Sequence, residues 1–186
     1  MSSLPDRPNT ALLIVDVQNE VVAKAHQRDG VIANINAVLQ RARDAGTPVI
    51  WVQHESDNLP RGSAAWQYVD ELQRDDSEPL VHKRFGDSFE ETDLETILAE
   101  RKVGHLVVTG AQTDACVRAT LHGALVRGYD ATLVSDAHTT DDPSEWGLPL
   151  NAEQVIAHTN AYWRYESAPG RKGDTVAAAD VSFTSS

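Results

Sequence analysis

The stretch HLVVTGAQTDACVRATLHGALVRGYDATLVS, residues 105–135, has the pattern of a strand, a helix and a second strand. Its apolar start, His105–Thr109, predicts a strand, and a turn over Gly110–Ala115 leads into the helix. Gly128 is placed to end that helix, and Asp130–Ser135 has the composition of the next strand. A unit of this kind joins parallel strands by a right-handed crossover. This stretch therefore predicts an α/β fold with a mostly parallel sheet.

The same alternation continues towards the N-terminus. Three strands are predicted there, over Ala11–Val17, Pro48–Gln53 and Leu80–His82. Apolar residues at helical spacing between Val31 and Ala42 predict a helix, and Gly46 is placed to end it. Thr92 and Glu95 have the spacing of a capping box and predict the start of another helix.

Towards the C-terminus, Asn151 and Gln154 have the same capping spacing and predict a helix that extends to Trp163 or beyond. An edge strand is expected near Thr175–Phe183. Taken together, the alternating strands and helices predict a three-layer α/β/α sandwich around a mostly parallel, Rossmann-like sheet.

The length and composition fit one globular domain. The chain has 186 residues, of which 41% are hydrophobic and 24% are charged. We found no internal repeat and no linker, so we expect a single domain over residues 1–186, with residues 1–9 and 184–186 as tails.

The charge balance and the cysteine content disfavour several classes of protein. The 28 acidic residues outnumber the 16 basic ones and give a net charge of −12, whereas nucleic acids and anionic membranes are bound by clustered Lys and Arg. The apolar runs are too short to span a bilayer, and the start of the chain lacks the apolar segment of a signal peptide. The single cysteine excludes an internal disulfide. We expect a cytoplasmic protein with no nucleic-acid or membrane partner.

Three ionisable residues follow predicted strands. Asp16 ends the first strand, Lys83 follows the third, and Cys116 comes just after the fourth. Ligands bind at the carboxyl ends of the strands in open parallel sheets, so these residues form a candidate site. A helix N-terminus and the Lys83 ammonium would lower the pKa of the Cys116 thiol. Each residue also has an ordinary role: an inert buried cysteine, a turn-capping aspartate or a surface lysine.

Three sequence blocks that contain these residues resemble the isochorismatase-like cysteine hydrolase superfamily. The blocks are IVDVQNE (14–20), HKRFGDSFEETDLETIL (82–98) and the stretch from His105 to Thr140. The resemblance extends from about Ala11 to Trp163. It implies a catalytic triad of Asp16, Lys83 and Cys116.

The resemblance also implies a cis peptide bond between Ala111 and Gln112. That bond would direct the N–H groups of Gln112 and Cys116 at one point, as an oxyanion hole. The substrate pocket would be lined by Gln18, His54, Trp66, Phe89 and Trp163, although ordinary packing explains each of these residues at least as well. His138, which follows the fifth strand, is left out of the site.

A resident metal is not expected. The nicotinamidases among these relatives bind a divalent metal through an Asp-x-His pair and further histidines after the second strand. The corresponding stretch here, WVQHESDNLPRGSAAW (51–66), contains one histidine, His54, and no Asp-x-His pair. One imidazole is not a tight metal site, so we predict no metal and a hydrogen-bonded loop or pocket role for His54.

The resemblance implies a hydrolase that cleaves a C–N bond of a small amide, carbamoyl or ureido substrate through a thioester, without a cofactor. A branch of the family that cleaves a vinyl ether lacks the cysteine, so Cys116 favours C–N cleavage. A nicotinamidase, a non-catalytic ligand-binding member of the fold and a thiol redox protein are the alternatives. We also expect a homodimer or homotetramer, with Trp146, Tyr162 and Trp163 as contact residues.

Overall fold

The computed structural model describes residues 2–183, so Met1 and the predicted tail at 184–186 lie outside the described residues. The strands are β1 (Asn9–Val15), β2 (Val49–His54), β3 (Leu80–Lys83), β4 (Val103–Ala111), β5 (Asp130–Thr139), β6 (Ser167–Ala168) and β7 (Arg171–Val176). The helices are α1 (Arg28–Asp44), α2 (Leu94–Glu100), α3 (Arg118–Arg127) and α4 (Ala152–Trp163). Short helical turns cover Thr113–Val117, Pro143–Trp146 and Ala178–Asp180.

The strands form one sheet in the order β3-β2-β1-β4-β5-β7-β6. All neighbouring pairs are parallel except β6 and β7, which confirms the mostly parallel sheet. The chain runs outward from β1 through β2 to β3, then returns to place β4 on the other side of β1. The order of the strands therefore reverses between β1 and β4, and such a reversal opens a crevice at their carboxyl ends.

Helices cover both faces of the sheet, which confirms the three-layer architecture. The side chains of β1 alternate between the faces: Leu12 and Ile14 pack in one apolar cluster with α1, and Leu13 and Val15 pack in another with α2 and α3. Because both faces are covered, β1 has a continuous apolar sequence rather than an alternating one.

Local signals predicted some element boundaries and missed others. Gly46 has φ +66 just after α1, and Asn151 forms a capping box with Gln154 at the start of α4, as predicted. The predicted start of α2 at Thr92 is wrong, because the helix begins at Leu94 and the Thr92 hydroxyl donates to the Ser88 carbonyl oxygen at 2.6 Å. The predicted edge strand near Thr175–Phe183 is wrong, because β7 covers Arg171–Val176, β6 lies at the edge of the sheet, and Ala178–Asp180 forms a helical turn.

Residues 2–8 do not form the free tail that the sequence predicted. The Ser3 N–H donates to the Gly128 carbonyl oxygen at 3.0 Å, and the Arg7 guanidinium contacts the Glu95 carboxylate at 2.8 Å. These contacts hold the segment against the body of the domain, and Asn9 then begins β1. No helix within residues 2–183 is long and apolar enough to cross a membrane.

Candidate active site

The carboxyl ends of three strands bring the predicted triad together. Asp16 directly follows β1, Lys83 ends β3, and Cys116 lies in the helical turn after β4. The Lys83 Nζ atom is 2.7 Å from Asp16 Oδ2, and both side chains are almost fully buried. The Cys116 Sγ atom, a carboxylate oxygen of Asp16 and a ring nitrogen of His54 all lie within 4.8 Å of one another. A carboxylate, an ammonium and a thiol thus lie close together at the carboxyl ends of the strands, where the strand order reverses.

The close approach of β4 to the end of β1 sets the position of Asp16. Gly110 of β4 has φ +119, and a Cβ atom there would lie 2.0 Å from the Val15 carbonyl oxygen. A residue with a side chain would therefore force the strands apart at this point. Asp16 itself has φ 50, and its N–H donates to the Val52 carbonyl oxygen at 2.9 Å. Both strand neighbours of β1 thus fix the backbone that carries the carboxylate.

The nucleophile turn, Gln112–Val117, connects β4 to α3. The peptide bond between Ala111 and Gln112 is cis. The turn is a π-helical one, closed by a hydrogen bond from the Val117 N–H to the Gln112 carbonyl oxygen at 3.2 Å, so Cys116 precedes α3 instead of lying in its first turn as predicted. Among residues 2–183, no acceptor takes a hydrogen bond from the Gln112 N–H. This N–H is therefore available to a bound group.

The Asp16 carboxylate is a buried base. Burial raises the pKa of Asp16, and the charge and hydrogen bond of Lys83 oppose that rise without cancelling it. No backbone N–H within the described residues donates to either carboxylate oxygen. A carboxylate with a raised pKa and few donors accepts a proton more readily than an exposed one.

Lys83 supplies the positive charge of the site. Burial alone would lower the pKa of Lys83, but the negative charge of Asp16 outweighs it and the pKa is raised. The ammonium also donates to the Phe85 carbonyl oxygen at 3.1 Å and lies 3.4 Å from His54 Nδ1. Burial and the nearby Lys83 lower the pKa of His54, so its imidazole is neutral beside a charged lysine.

The Cys116 thiol keeps its proton at rest. Burial, followed by the negative charge of Asp16, raises the pKa of Cys116 to about 12, and Lys83 only partly opposes this. The predicted lowering of this pKa is wrong, because burial and a neighbouring anion outweigh the ammonium. The resting cluster is therefore a thiol, a carboxylate and an ammonium, and the carboxylate is placed to take the thiol proton.

Comparison with known proteins identifies the family of this chain. The isochorismatase domain family matches residues 10–154. The chain belongs to the isochorismatase family. Streptothricin hydrolase of Streptomyces noursei is 32% identical over 165 residues, which cover 84% of this chain and 65% of that protein. The chain thus spans a little under two thirds of the length of that relative.

Two further relatives bear on the same family. Ureidoacrylate amidohydrolase RutB of Klebsiella pneumoniae is 28% identical over 187 residues, covering 74% of this chain and 79% of that protein. The crystal structure of an isochorismatase family protein superposes with a TM-score of 0.81 at 28% identity, and covers 92% of this chain and 99% of that one. The structural match thus covers most of the chain, and the family match covers residues 10–154.

This isochorismatase-family site contains three groups that could ligate a metal: Asp16, His54 and Cys116. The ammonium of Lys83 stands among them, 2.7 Å from Asp16 Oδ2 and 3.4 Å from His54 Nδ1. A divalent cation would be repelled by that ammonium at close range. These three groups therefore form a poor metal site, because the lysine ammonium lies among them. The absence of a resident metal stays a prediction.

Three of the five predicted pocket residues lie near the triad, in different roles. His54 is part of the cluster itself. Gln18 is buried and its amide is occupied: Nε2 donates to the carbonyl oxygens of His54 and Trp66, and Oε1 accepts from the His54 N–H, at 2.8–2.9 Å. The Trp66 indole stacks on His82 at 5.5 Å. The sequence did not predict that Gln18 would fix His54; its position two residues after Asp16 was the only signal.

The other two predicted pocket residues, Phe89 and Trp163, lie away from the site. The Phe89 ring packs on Tyr129 and Arg127, where α3 ends and β5 begins. Trp163 is fully buried, and its indole N–H donates to the Ala131 carbonyl oxygen at 3.0 Å. Both rings thus lie towards the amino end of β5, whereas the triad lies at the carboxyl ends. Ordinary core packing accounts for them, so their assignment to the pocket of this chain is wrong.

Proposed function

We propose that this isochorismatase-family protein is a cysteine hydrolase that cleaves a C–N bond of a small amide, carbamoyl or ureido substrate through a thioester. The observation that carries the proposal is the ion pair of Lys83 and Asp16 at 2.7 Å, with the Cys116 Sγ atom within 4.8 Å of the carboxylate. Two relatives, named a streptothricin hydrolase and a ureidoacrylate amidohydrolase, support this class of reaction.

Nucleophilic attack begins with proton transfer to Asp16. The Cys116 thiol gives its proton to the carboxylate as Sγ forms a bond to the substrate carbonyl carbon. The raised pKa of Asp16 favours the protonated acid at this moment. Lys83 stabilises the sulfur while it carries negative charge. Because the proton moves within the cluster, no free thiolate is required at rest.

The negative charge then develops on the substrate oxygen. The N–H groups of Gln112 and Cys116 would donate to it and form the oxyanion hole. When the tetrahedral intermediate collapses, the C–N bond breaks and Asp16 returns its proton to the departing nitrogen. Water then attacks the thioester, giving one proton to Asp16, and the C–S bond breaks. The sulfur recovers that proton, and an acid and an amine or ammonia are released without a cofactor.

Ammonia release from a panel of small primary amides, ureido compounds and nicotinamide tests the proposal. We expect the wild type to hydrolyse at least one compound, Cys116→Ala to be inactive, and Cys116→Ser to bind that compound without turnover. A preference for nicotinamide would identify a nicotinamidase. Turnover that survives in Cys116→Ala would contradict the cysteine mechanism, and binding without any turnover would indicate the non-catalytic alternative. Cytoplasmic location and the lack of nucleic-acid or membrane partners remain predictions.

A further inference from the structure

A buried histidine stands behind the nucleophile turn. His138 lies near the end of β5, is 1% exposed, and pairs in register with Gly110 of β4. Its Nδ1 atom is 2.9 Å from Thr113 Oγ1, and its Nε2 atom is 3.0 Å from Asn160 Oδ1. The imidazole thus bridges the turn that carries Cys116 and helix α4.

A bulge in β5 produces this placement. The register pairs Val108 with Leu133, but two residues further along β4 it pairs Gly110 with His138. The extra residues of β5 bend the strand and re-aim the side chain that follows. His138 therefore meets the nucleophile turn at its second residue, Thr113.

The hydrogen-bond network assigns the direction of each bond. The Asn160 Nδ2 group donates to the Ser135 carbonyl oxygen at 2.9 Å, so Asn160 Oδ1 faces His138 as an acceptor. The proton of the neutral ring is then on Nε2, and Nδ1 accepts from the Thr113 hydroxyl. Burial lowers the pKa of His138 to about 4, which keeps the ring neutral and Nδ1 able to accept.

We infer that His138 is a positioning residue of the active site, which holds the nucleophile turn through the Thr113 hydroxyl. This inference rests on the proposed function. Thr113 is fully buried, follows Gln112 directly and precedes Cys116 by three residues. The turn has other contacts, from Gln112 Nε2 to the Val21 carbonyl oxygen at 3.1 Å and from the Thr140 hydroxyl to Asp114 Oδ1 at 3.2 Å, but the bond to His138 is the one that joins Thr113 to β5 between the two proposed oxyanion donors. Catalytic geometry is sensitive to displacement of such donors: a shift of about 1 Å can cost roughly 10²-fold in rate.

Two reactions of Cys116 separate positioning from general stability. Acylation by 4-nitrophenyl acetate needs both the thiol and the oxyanion donors, whereas alkylation by iodoacetamide needs only the thiol. We expect His138→Gln and Thr113→Val to slow acylation by about 10- to 100-fold and to change alkylation far less. His138→Asn, whose amide oxygen can replace Nδ1 as an acceptor, should recover much of the rate.

A second histidine of the same sheet provides the control. His105 Nε2 lies 2.8 Å from the Thr132 hydroxyl, in the amino-terminal part of the same β4–β5 pair. His105→Gln removes a comparable imidazole–threonine contact away from the turn, so the ratio of acylation to alkylation should stay at the wild-type value.

Hydrogen exchange of the peptide that contains residues 112–117 decides the inference independently of activity. We expect faster exchange there in His138→Gln but not in His105→Gln. Unchanged exchange together with an unchanged acylation-to-alkylation ratio in His138→Gln would overturn the positioning role. If the wild type is never acylated at Cys116, the proposed function fails, and the exchange result alone still confirms or overturns the anchoring of the turn by His138.

Discussion

At the scale of single residues, the proton of the Cys116 thiol is the centre of the chemistry. Asp16 and Cys116 compete for one proton beside the fixed charge of Lys83. Burial raises the pKa of both acids, so the cluster with one shared proton is the stable one. Attack and proton transfer are therefore expected to occur together.

The pH dependence of alkylation by iodoacetamide tests this state. With a thiol pKa near 12, the thiolate fraction is small at neutral pH, and the rate should keep rising through the alkaline range. Asp16→Asn removes the neighbouring anion, which should lower the pKa of Cys116 and shift the profile to lower pH. Lys83→Met should shift it to higher pH. A wild-type plateau below the free-thiol pKa of about 8.5 would contradict the raised pKa.

Substitutions of Asp16 and Lys83 should not have additive effects on turnover. Asp16→Asn keeps the shape but removes the base, and we expect kcat to fall by about 10²–10⁴-fold with a substrate from the panel. Lys83→Met should also lower kcat, and it should reduce the free energy of unfolding by roughly 3 kcal/mol, because it leaves a buried carboxylate unpaired. The double variant should be scarcely slower than the slower single variant, as for residues that act as a unit.

Near wild-type turnover in Asp16→Asn would contradict its role as the base. Urea unfolding of the same variants keeps the two effects apart. A fall in kcat that simply followed the fraction of unfolded protein would indicate a structural role for the pair.

At the scale of elements, the sequence predicted those helix boundaries that depend only on neighbouring residues in the chain. The capping box of Asn151 and Gln154 needs four consecutive residues, so the sequence predicted the start of α4. At the start of α2, the Thr92 hydroxyl donates to the Ser88 carbonyl oxygen and accepts from the Leu94 N–H at 3.3 Å, a pair of contacts that the capping-box spacing of Thr92 and Glu95 does not predict. The clustering of Asp16, Lys83 and Cys116 was predictable because the carboxyl ends of parallel strands meet at one edge of the sheet. The pKa values of these residues were not predictable, because they depend on burial.

The contact of β4 with the end of β1 should depend on Gly110. In Gly110→Ala, the new Cβ atom would lie 2.0 Å from the Val15 carbonyl oxygen, at φ +119. Left-handed strain of about 1–2 kcal/mol and overpacking of about 1–3 kcal/mol should both reduce the free energy of unfolding. Gly62→Ala is the control, since Gly62 has φ +85 but open space around it.

Urea unfolding of the two glycine variants measures the difference. The free energy of unfolding of Gly62→Ala should fall only by the cost of the backbone conformation. That of Gly110→Ala should fall clearly more. Equal losses would show that the close approach of β4 to β1 does not require a glycine.

At the scale of the whole molecule, the sequence predicted the fold better than the position of the aromatic residues. Phe89 follows Lys83 by six residues and Trp163 ends α4, but both rings pack towards the amino end of β5. Which end of the sheet a ring reaches depends on the direction of the chain and on core packing. By contrast, the acidic balance and the strand–helix alternation are properties of the whole sequence.

We expect self-association through exposed apolar residues in the segment that follows β5. Trp146 is 64% exposed and Leu148 is 51% exposed, whereas Trp163 is fully buried and is no longer a contact residue. Large exposed aromatic residues favour interfaces. Light scattering at micromolar concentration should give a dimer or tetramer, and Trp146→Ser should shift it towards monomer. A monomeric wild type would contradict this expectation.

Mass spectrometry of the protein after brief exposure to 4-nitrophenyl acetate tests the central claim most directly. The cysteine mechanism predicts one acetyl group on the wild type, located on Cys116 by peptide mapping and lost again as the thioester hydrolyses. Cys116→Ala should not be labelled within the same time. Labelling of another residue with Cys116 unmodified, or equal labelling of the Cys116→Ala variant, would contradict the account.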